Sequence, residues 1–551
     1  MDRRKEISGH IVDALQHKIY DGTLIVSDGR IEGIRRECVP EAAPYILPGF
    51  IDAHIHIEST LLTPENYAAM AVRRGVTSII TDPHEIANVL GMEGIEYMIG
   101  NGRRVHFHFN FAAPSCVPCT PFETSGATIG HEQIAELLEK DEVCCVAEFM
   151  NAPGVLGGDP ECLAKLQAAK DTGKPVDGHA PGMCREDLIK YAAAGISTDH
   201  ECVSLEEGRN HVAAGMSVII REGSASCDYE SLAPLLAEAP GMVMFCSDDK
   251  YADELAEGYI DALVKRAVRD GYSLWSVLDA ACITPVRHYG LRQGLLREGD
   301  NADFILVDSL SDFNVLSTWI DGKEVFAGGK VCRDELIIDG GPQRPSPNAF
   351  AAGPIQEKDI AAKATGGKIK VITASDRTLR TGTDVITPKT EDGNIVADTD
   401  TDVLKLIVYN RYREAGPQVA FIHGFGLKRG AIASSVAHDS HNIIAVGAGD
   451  SDIVSAVNRL VELKGGIVLA DGENLTEMPL PVAGLMSDRD GETVSRIHLE
   501  LKKEAKRLGC TFDAPFMTLS FMALPVIPEV KLTDKGLFDA LRFSFTTISA
   551  E

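Results

Sequence analysis

The chain has 551 residues, 44% of them apolar and 24% charged, and a formal net charge of −28. That length asks for about two to four domains, and the acidic balance argues against a nucleic-acid-binding surface and for a protein that handles small molecules. No apolar run of about 18 residues calls for a membrane span, residues 1–20 lack the apolar core of a secretory signal, and thirteen scattered cysteines fit reduced thiols in a cytoplasmic enzyme.

Residues 8–46 hold short alternating runs, and the pairs Asp21-Gly22 and Asp28-Gly29 predict hairpin turns. Similar runs return at Gly299–Asp308 and Trp319–Val325. Segments 1–46 and 291–335 therefore read as one small β-domain split by a large insertion. The insertion, 47–290, alternates short apolar strands with helical patterns, the mark of βα units. Strand candidates are 51–54, 78–81, 105–111, 143–147, 175–177, 196–198, 216–220 and 242–245. Eight such units predict a (β/α)8 barrel with its active site at the strand C-terminal ends; an open doubly wound sheet is the competing architecture. Residues 336–366, with Gly340-Gly341-Pro342 and Pro345-Ser346-Pro347, read as a linker. A C-terminal α+β domain follows over 367–551, with strands near 370–373 and 467–469 and helices near 451–463 and 494–507.

Metal-competent residues follow these strands. Strand one ends in His54-Ile55-His56, and alternation sends both imidazoles to one side. Strand two ends in Asp82-Pro83-His84-Glu85, strand four at Glu148, strand five at His179, strand six at His200 and strand eight at Asp248. Such a set can hold two divalent ions about 3.5–4 Å apart. Neutral imidazoles cannot offset their charge, so Glu148 is the expected bridge and Asp248 a second negative ligand. Water shared by two cations loses a proton near neutral pH; Asp248 would take that proton and deliver it to a leaving group. That is metal-assisted hydrolysis.

The order and strand placement resemble the amidohydrolase superfamily over 47–308 with the flanking β-domain. Many binuclear members carry a carboxylated lysine after strand four, where this chain has Glu148. More narrowly, the chain resembles bacterial-type adenine deaminases over nearly its whole length. The carrying segments are His54-Ile55-His56-Ile57-Glu58-Ser59-Thr60, Asp82–Val89, Asp177-Gly178-His179-Ala180-Pro181-Gly182 and Ser247-Asp248-Asp249, with Gly424–Gly430 and Ser434–Asn442 in the third domain. The resemblance implies adenine plus water giving hypoxanthine and ammonia, with hydroxide attacking C6 of the purine. Glu85 is then the candidate for proton transfer to the adjacent ring nitrogen, with His84 orienting it or the water and Asp82 positioning the loop. Glu85, Arg221 and Ser224 are candidates for purine contact. Mixed imidazole and carboxylate donors suit Mn, Fe or Zn, and the resemblance favours Mn or Fe. The expected partner is a small purine, with no nucleic acid and no membrane, in a cytoplasmic homo-oligomer. Two other readings stay open: a related hydrolase acting on a cyclic amide or N-acyl substrate, and a metal-binding protein without turnover.

Other signals carry less. Cys116-Val117-Pro118-Cys119 lacks the upstream His-x-Glu of zinc deaminases. His106 and His108 read as core or rim packing, and Cys144 and Cys145 as small apolar filling. Gly424-x-Gly426 with Gly430 fails the dinucleotide spacing. His423, His438, Asp439 and His441 are expected to hold a Gly-rich loop or a subunit contact, ahead of completing the pocket or binding another metal.

Overall fold

A computed structural model describes residues 4–341, 345–364 and 366–550. Strands β1 (Lys5–Asp13), β2 (Lys18–Ser27) and β3 (Arg30–Arg36) form an antiparallel meander, and β4 (Tyr45–Pro48) runs parallel to β1. Four strands from beyond the insertion, Phe304–Val307, Val315–Ile320, Lys323–Ala327 and Lys330–Val331, continue the same sheet outward from β4. Asp28-Gly29 is a hairpin turn with φ of 49° and 77°, the left-handed pair that a two-residue hairpin needs. Asp21-Gly22 is not a turn. It lies inside β2, where Gly22 pairs with Gly9 and a Cβ would meet the Arg35 carbonyl at 2.9 Å. That glycine serves close packing, and the chain reverses at 14–17 instead.

Eight parallel strands follow: β5 (Phe50–Ile55), β6 (Val76–Thr81), β7 (His108–Ala113), β8 (Val143–Phe149), β9 (Val176–Gly178), β10 (Thr198–Asp199), β11 (Ser217–Arg221) and β12 (Val243–Cys246). β5 to β9 form one sheet and β10 to β12 another. Parallel bridges Val176↔Ile196 and Ile55↔Asp248 join the two at both seams and close the barrel. Strands such as Val76–Thr81 are buried at every position, as parallel strands covered on both faces must be. The third strand starts later than its apolar run suggests: Val105 bridges to Ile337, and pairing with β6 begins at His108.

Two strands change phase at their C-terminal ends. The β5–β6 register shifts between Asp52 and Ile55, and the β8–β9 register between Val146 and Phe149. Upstream of the shifts, Ile51, Ala53, Cys145 and Ala147 join Ile80, Ala112, Ile219 and Met244 in a small cluster along the barrel axis. Downstream, Ile55 and Phe149 belong to the surrounding core instead. An extra residue in a strand flips the alternation, so the residues at the ends, His54, His56 and Glu148, turn to the barrel mouth.

The C-terminal domain is built on an eight-stranded sheet in the order Gly382–Ile386, Ile369–Thr373, Gln418–His423, Leu404–Tyr409, Ile443–Gly447, Ala431–Ser434, Gly466–Asp471 and Asn474–Pro479. Helix Asp450–Leu463 packs against this sheet. The stretch read as a linker is also packed here: Ala352, Ile355 and Ile360 are buried with Ile407 and Ile453. The domain sits on the barrel mouth. Ser487 N donates to Leu61 O (2.8 Å), His498 Nδ1 lies 2.8 Å from Asp253 Oδ1, and Thr124 N donates to Asp534 Oδ1 (2.8 Å). Among the described residues no helix is long and apolar enough to cross a membrane.

At the opposite end, His108 Nε2 lies 3.0 Å from the buried Asp303 Oδ1 and links the barrel to the outer sheet. Burial works to lower the imidazole, but Asp303 overrides it and raises His108 to about 9. A raised histidine contributes stability that is complete below its unfolded value of about 6.5 and is lost as pH rises through about 9. Asp303→Asn should therefore cost the most below about pH 6.5, with the gap to wild type in chemical denaturation shrinking toward pH 9. A pH-independent gap would show that His108 carries no charge there.

Candidate metal centre

Three strand ends share a local device. An aspartate two residues upstream accepts a backbone N–H: His54 N to Asp52 Oδ1 (3.2 Å), His84 N to Asp82 Oδ1 (3.1 Å) and Glu201 N to Asp199 Oδ1 (2.9 Å). This is the turn that Asp side chains stabilise, and it fixes how each chain leaves its strand. Asp52 also accepts from Ser247 Oγ (2.5 Å) and Tyr259 OH (2.6 Å), tying the first strand end to the last. Asp248 adopts φ 55°, a left-handed conformation that Asp tolerates. Its N–H donates to His54 O (2.9 Å) and its carbonyl accepts from His56 N (3.3 Å).

These turns bring donor atoms together. His54 Nε2 and His56 Nε2 lie 3.2 Å apart. Asp248 Oδ1 stands 3.5 and 3.2 Å from them, and Glu148 Oε1 3.8 and 3.4 Å. The other Glu148 oxygen, Oε2, is 2.6 Å from His179 Nδ1 and 3.5 Å from His200 Nε2. One carboxylate thus faces two histidine pairs, one pair on each oxygen. His56 Nδ1 lies 3.0 Å from the Asp82 carbonyl, which can only accept. In the neutral ring the Nδ1 therefore carries the proton and Nε2 the lone pair. Donors bonded to one transition ion at about 2.1 Å lie about 3.0–3.4 Å apart, close to most of these separations. Buried lone pairs and carboxylates facing each other are satisfied by cations, so the donor set fits two divalent ions sharing Glu148.

The charges agree. Burial works to raise Glu148, but His200, His179 and His56 hold it well below the usual carboxylate range. Asp248 is held down in the same way, against burial, by His54, His56 and Arg221. Burial and the neighbouring His54 push His200 down to about 4, the neutral form a metal needs.

The remaining candidates are placed as follows. His84 Nδ1 lies 2.8 Å from Asp82 Oδ2 and 3.7 Å from Glu148 Oε1, and its Nε2 lies 3.4 Å from Glu85 Oε1. Glu85 is buried between three imidazoles: His84, His438 (Nδ1 to Oε1, 2.5 Å) and His441, whose Nε2 meets the second oxygen. Burial works to raise its carboxyl, and His438, His441 and His84 together hold it well below the usual range. Arg221 and Ser224 have partners within the protein. The Arg221 guanidinium is 2.5 Å from Glu201 Oε1, 2.9 Å from Asp248 Oδ2 and 3.0 Å from Asp228 Oδ2. Ser224 Oγ donates to Glu254 Oε2 (2.8 Å) and accepts from Tyr251 N (3.1 Å). Both are thus tied into the rim by these partners.

Sequence reasoning missed Glu201, which reaches His200 (3.5 Å) and His179 (3.9 Å), and underweighted His438 and His441. The recurrence of Asp two residues before His or Glu at strand ends was a usable signal for Glu201. His423 ends its own strand, in register with Thr373.

Comparison with known proteins gives a consistent picture. The amidohydrolase family model matches residues 45–325, and the model of the adenine deaminase C-terminal domain matches 378–544. The adenine deaminase of Salinibacter ruber is 52% identical, covering 98% of both chains. That of Methanosarcina mazei is 48% identical over 99% of this chain and all of its own, and that of Borreliella burgdorferi 40% identical over 98% and 99%.

If Glu148 is the shared ligand, Glu148→Gln should lower bound divalent metal from about two per chain to below about one, read by elemental analysis, with circular dichroism unchanged. Retention of both metals would remove Glu148 from the bridging position.

Proposed function

The chain belongs to the adenine deaminase family of amidohydrolases, and from that premise we propose that it hydrolyses adenine to hypoxanthine and ammonia at the buried centre around Glu148. The observation that carries the reading is the shared carboxylate, one oxygen turned to His54 and His56 and the other to His179 and His200. We assign the ligands as His54, His56, Glu148, His179, His200 and Asp248, and the ions as manganese or iron. When bound, two such ions supply the Lewis acidity that makes water a nucleophile at neutral pH.

The residues then divide the proton work. Asp248, ionised and held by Arg221 at 2.9 Å, takes the proton of the attacking water and returns it to the departing amino group. Attack at C6 loads negative charge onto the neighbouring ring nitrogen, which must gain a proton as the ring loses aromaticity. The Glu85–His84 pair stands beside the ligands to supply it. Glu85 is held ionised, so His84 is the proton-bearing member of the pair: burial works to lower it, and Asp82 and Glu85 raise it well above the ordinary range.

The decisive experiment is ammonia release from adenine by Mn-loaded protein, with chelated protein and the double variant His54→Ala/His56→Ala as controls. Release should require both the metal and the histidine pair. No release from protein shown to hold two metals would sink adenine as the substrate and turn the search to cyclic amides and N-acyl compounds. Glu85→Gln, with metal content unchanged, should lower kcat by about 100-fold or more; full turnover would take Glu85 out of the mechanism.

A further inference from the structure

The C-terminal domain enters the centre through one loop. Residues 435–442 connect strand Ala431–Ser434 to strand Ile443–Gly447 and are buried throughout. The loop is pinned from both sides. Tyr412 OH donates to Ser440 O (2.6 Å), and Asn442 Nδ2 donates to Thr124 O of the barrel (2.9 Å) while its Oδ1 accepts from Arg411 N (3.2 Å). The His438 ring stacks on Phe521, with centroids 4.4 Å apart and planes 9° from parallel.

The two histidines present specific atoms to Glu85. Ala437 N donates to His441 Nδ1 at 3.2 Å. That makes Nδ1 the acceptor and places the proton of the neutral ring on Nε2, the atom that faces Glu85 Oε2. A protonated Nε2 cannot ligate a metal, so this contact is a hydrogen bond. His438 Nδ1 meets the other oxygen at 2.5 Å. Both oxygens of a barrel carboxylate are thus held from a residue stretch more than 350 positions away along the chain.

We propose that His438 and His441 are positioning residues for Glu85, and that the C-terminal domain completes the active site by fixing that carboxylate while adding no metal ligand of its own. The inference rests on Glu85 taking part in proton transfer. It assigns the third domain a task in turnover, and it makes the position of each N–H, more than the charge, the property that matters.

The chemistry allows a position-specific test in the full-length, Mn-loaded enzyme. An asparagine amide can occupy the place of a histidine Nδ1, and a glutamine amide that of an Nε2. His438→Ala and His441→Ala should each lower kcat about 10- to 100-fold, with KM within about threefold and metal content and melting temperature as in wild type. His438→Asn and His441→Gln should recover most of the loss, and the exchanged pair, His438→Gln and His441→Asn, should not. Alanine variants at the wild-type rate would overturn the proposal. So would matched amide variants as slow as alanine while folded and fully metallated, or the loss of one extra bound metal in His441→Ala. If the alanine variants do not fold, the matched and exchanged amides decide the question between them. Glu85→Gln in the same series separates the two ideas: at the wild-type rate it removes the role of Glu85, whereas slow Glu85→Gln beside fast histidine variants removes only the positioning role.

Discussion

A carboxylate buried at the mouth of a closed barrel has to be balanced by positive charge within bonding reach, and Glu148 must be balanced on both oxygens. Arg221, a guanidinium at this rim, is already shared by Glu201, Asp228 and Asp248. Around it stand further buried acids, Asp82, Glu85, Asp249 and Asp439. Isolated buried charges of this kind would cost several kcal/mol each, so imidazoles alone, which are neutral when they ligate, leave a deficit that the proposed metal ions would fill. Much of the architecture at this end of the barrel follows from keeping that acid excess dry and ordered.

The order comes from the backbone before it comes from the ligands. The register shifts at the ends of β5 and β8 let each strand fill the barrel axis with small apolar residues and then aim polar ones at the same space. Without the shifts, Ile55 and Phe149, which lie in the surrounding core, would take the places that His54, His56 and Glu148 occupy. The aspartates that clamp the strand exits then fix His54, His84 and Glu201 through their backbone N–H groups. Bulges next to active sites that re-aim side chains are a recognised device; here two of them, on separate strands, converge on one cluster.

These features differ in how far they could be read from the chain alone. The barrel strands showed because apolar runs of the right length recur between helical patterns, and the rim histidines and carboxylates showed because each follows such a run directly. His54 and His56 needed only alternation. The phase changes were hidden, since a bulge is a property of two paired strands and leaves no mark in either one by itself. Asp21-Gly22 misled because a glycine needed for close packing beside Arg35 looks the same as a glycine needed for a turn. Arg221 and Ser224 were legible as residues that follow their strand, but spacing says nothing of the carboxylates they bond. The union of Glu85 with His438 and His441 was out of reach, because nothing local in either segment refers to the other.

That union also explains why the third domain offers imidazoles at this point. A lysine or arginine in place of His441 would bring a fixed positive charge beside the proposed metal centre and would compete with its cations. Burial pushes His441 down to about 4, so it is neutral at physiological pH, and its Nε2–H still orients the carboxylate. His438 does carry charge, since Glu85 raises it to about 9 against the effect of burial. It stands on the side of Glu85 toward Phe521 and Asp249, where a buried acid already calls for a partner. Both rings therefore hold the two oxygens through an N–H at a fixed position, and the neutral ring of His441 does so without adding to the positive charge of the centre.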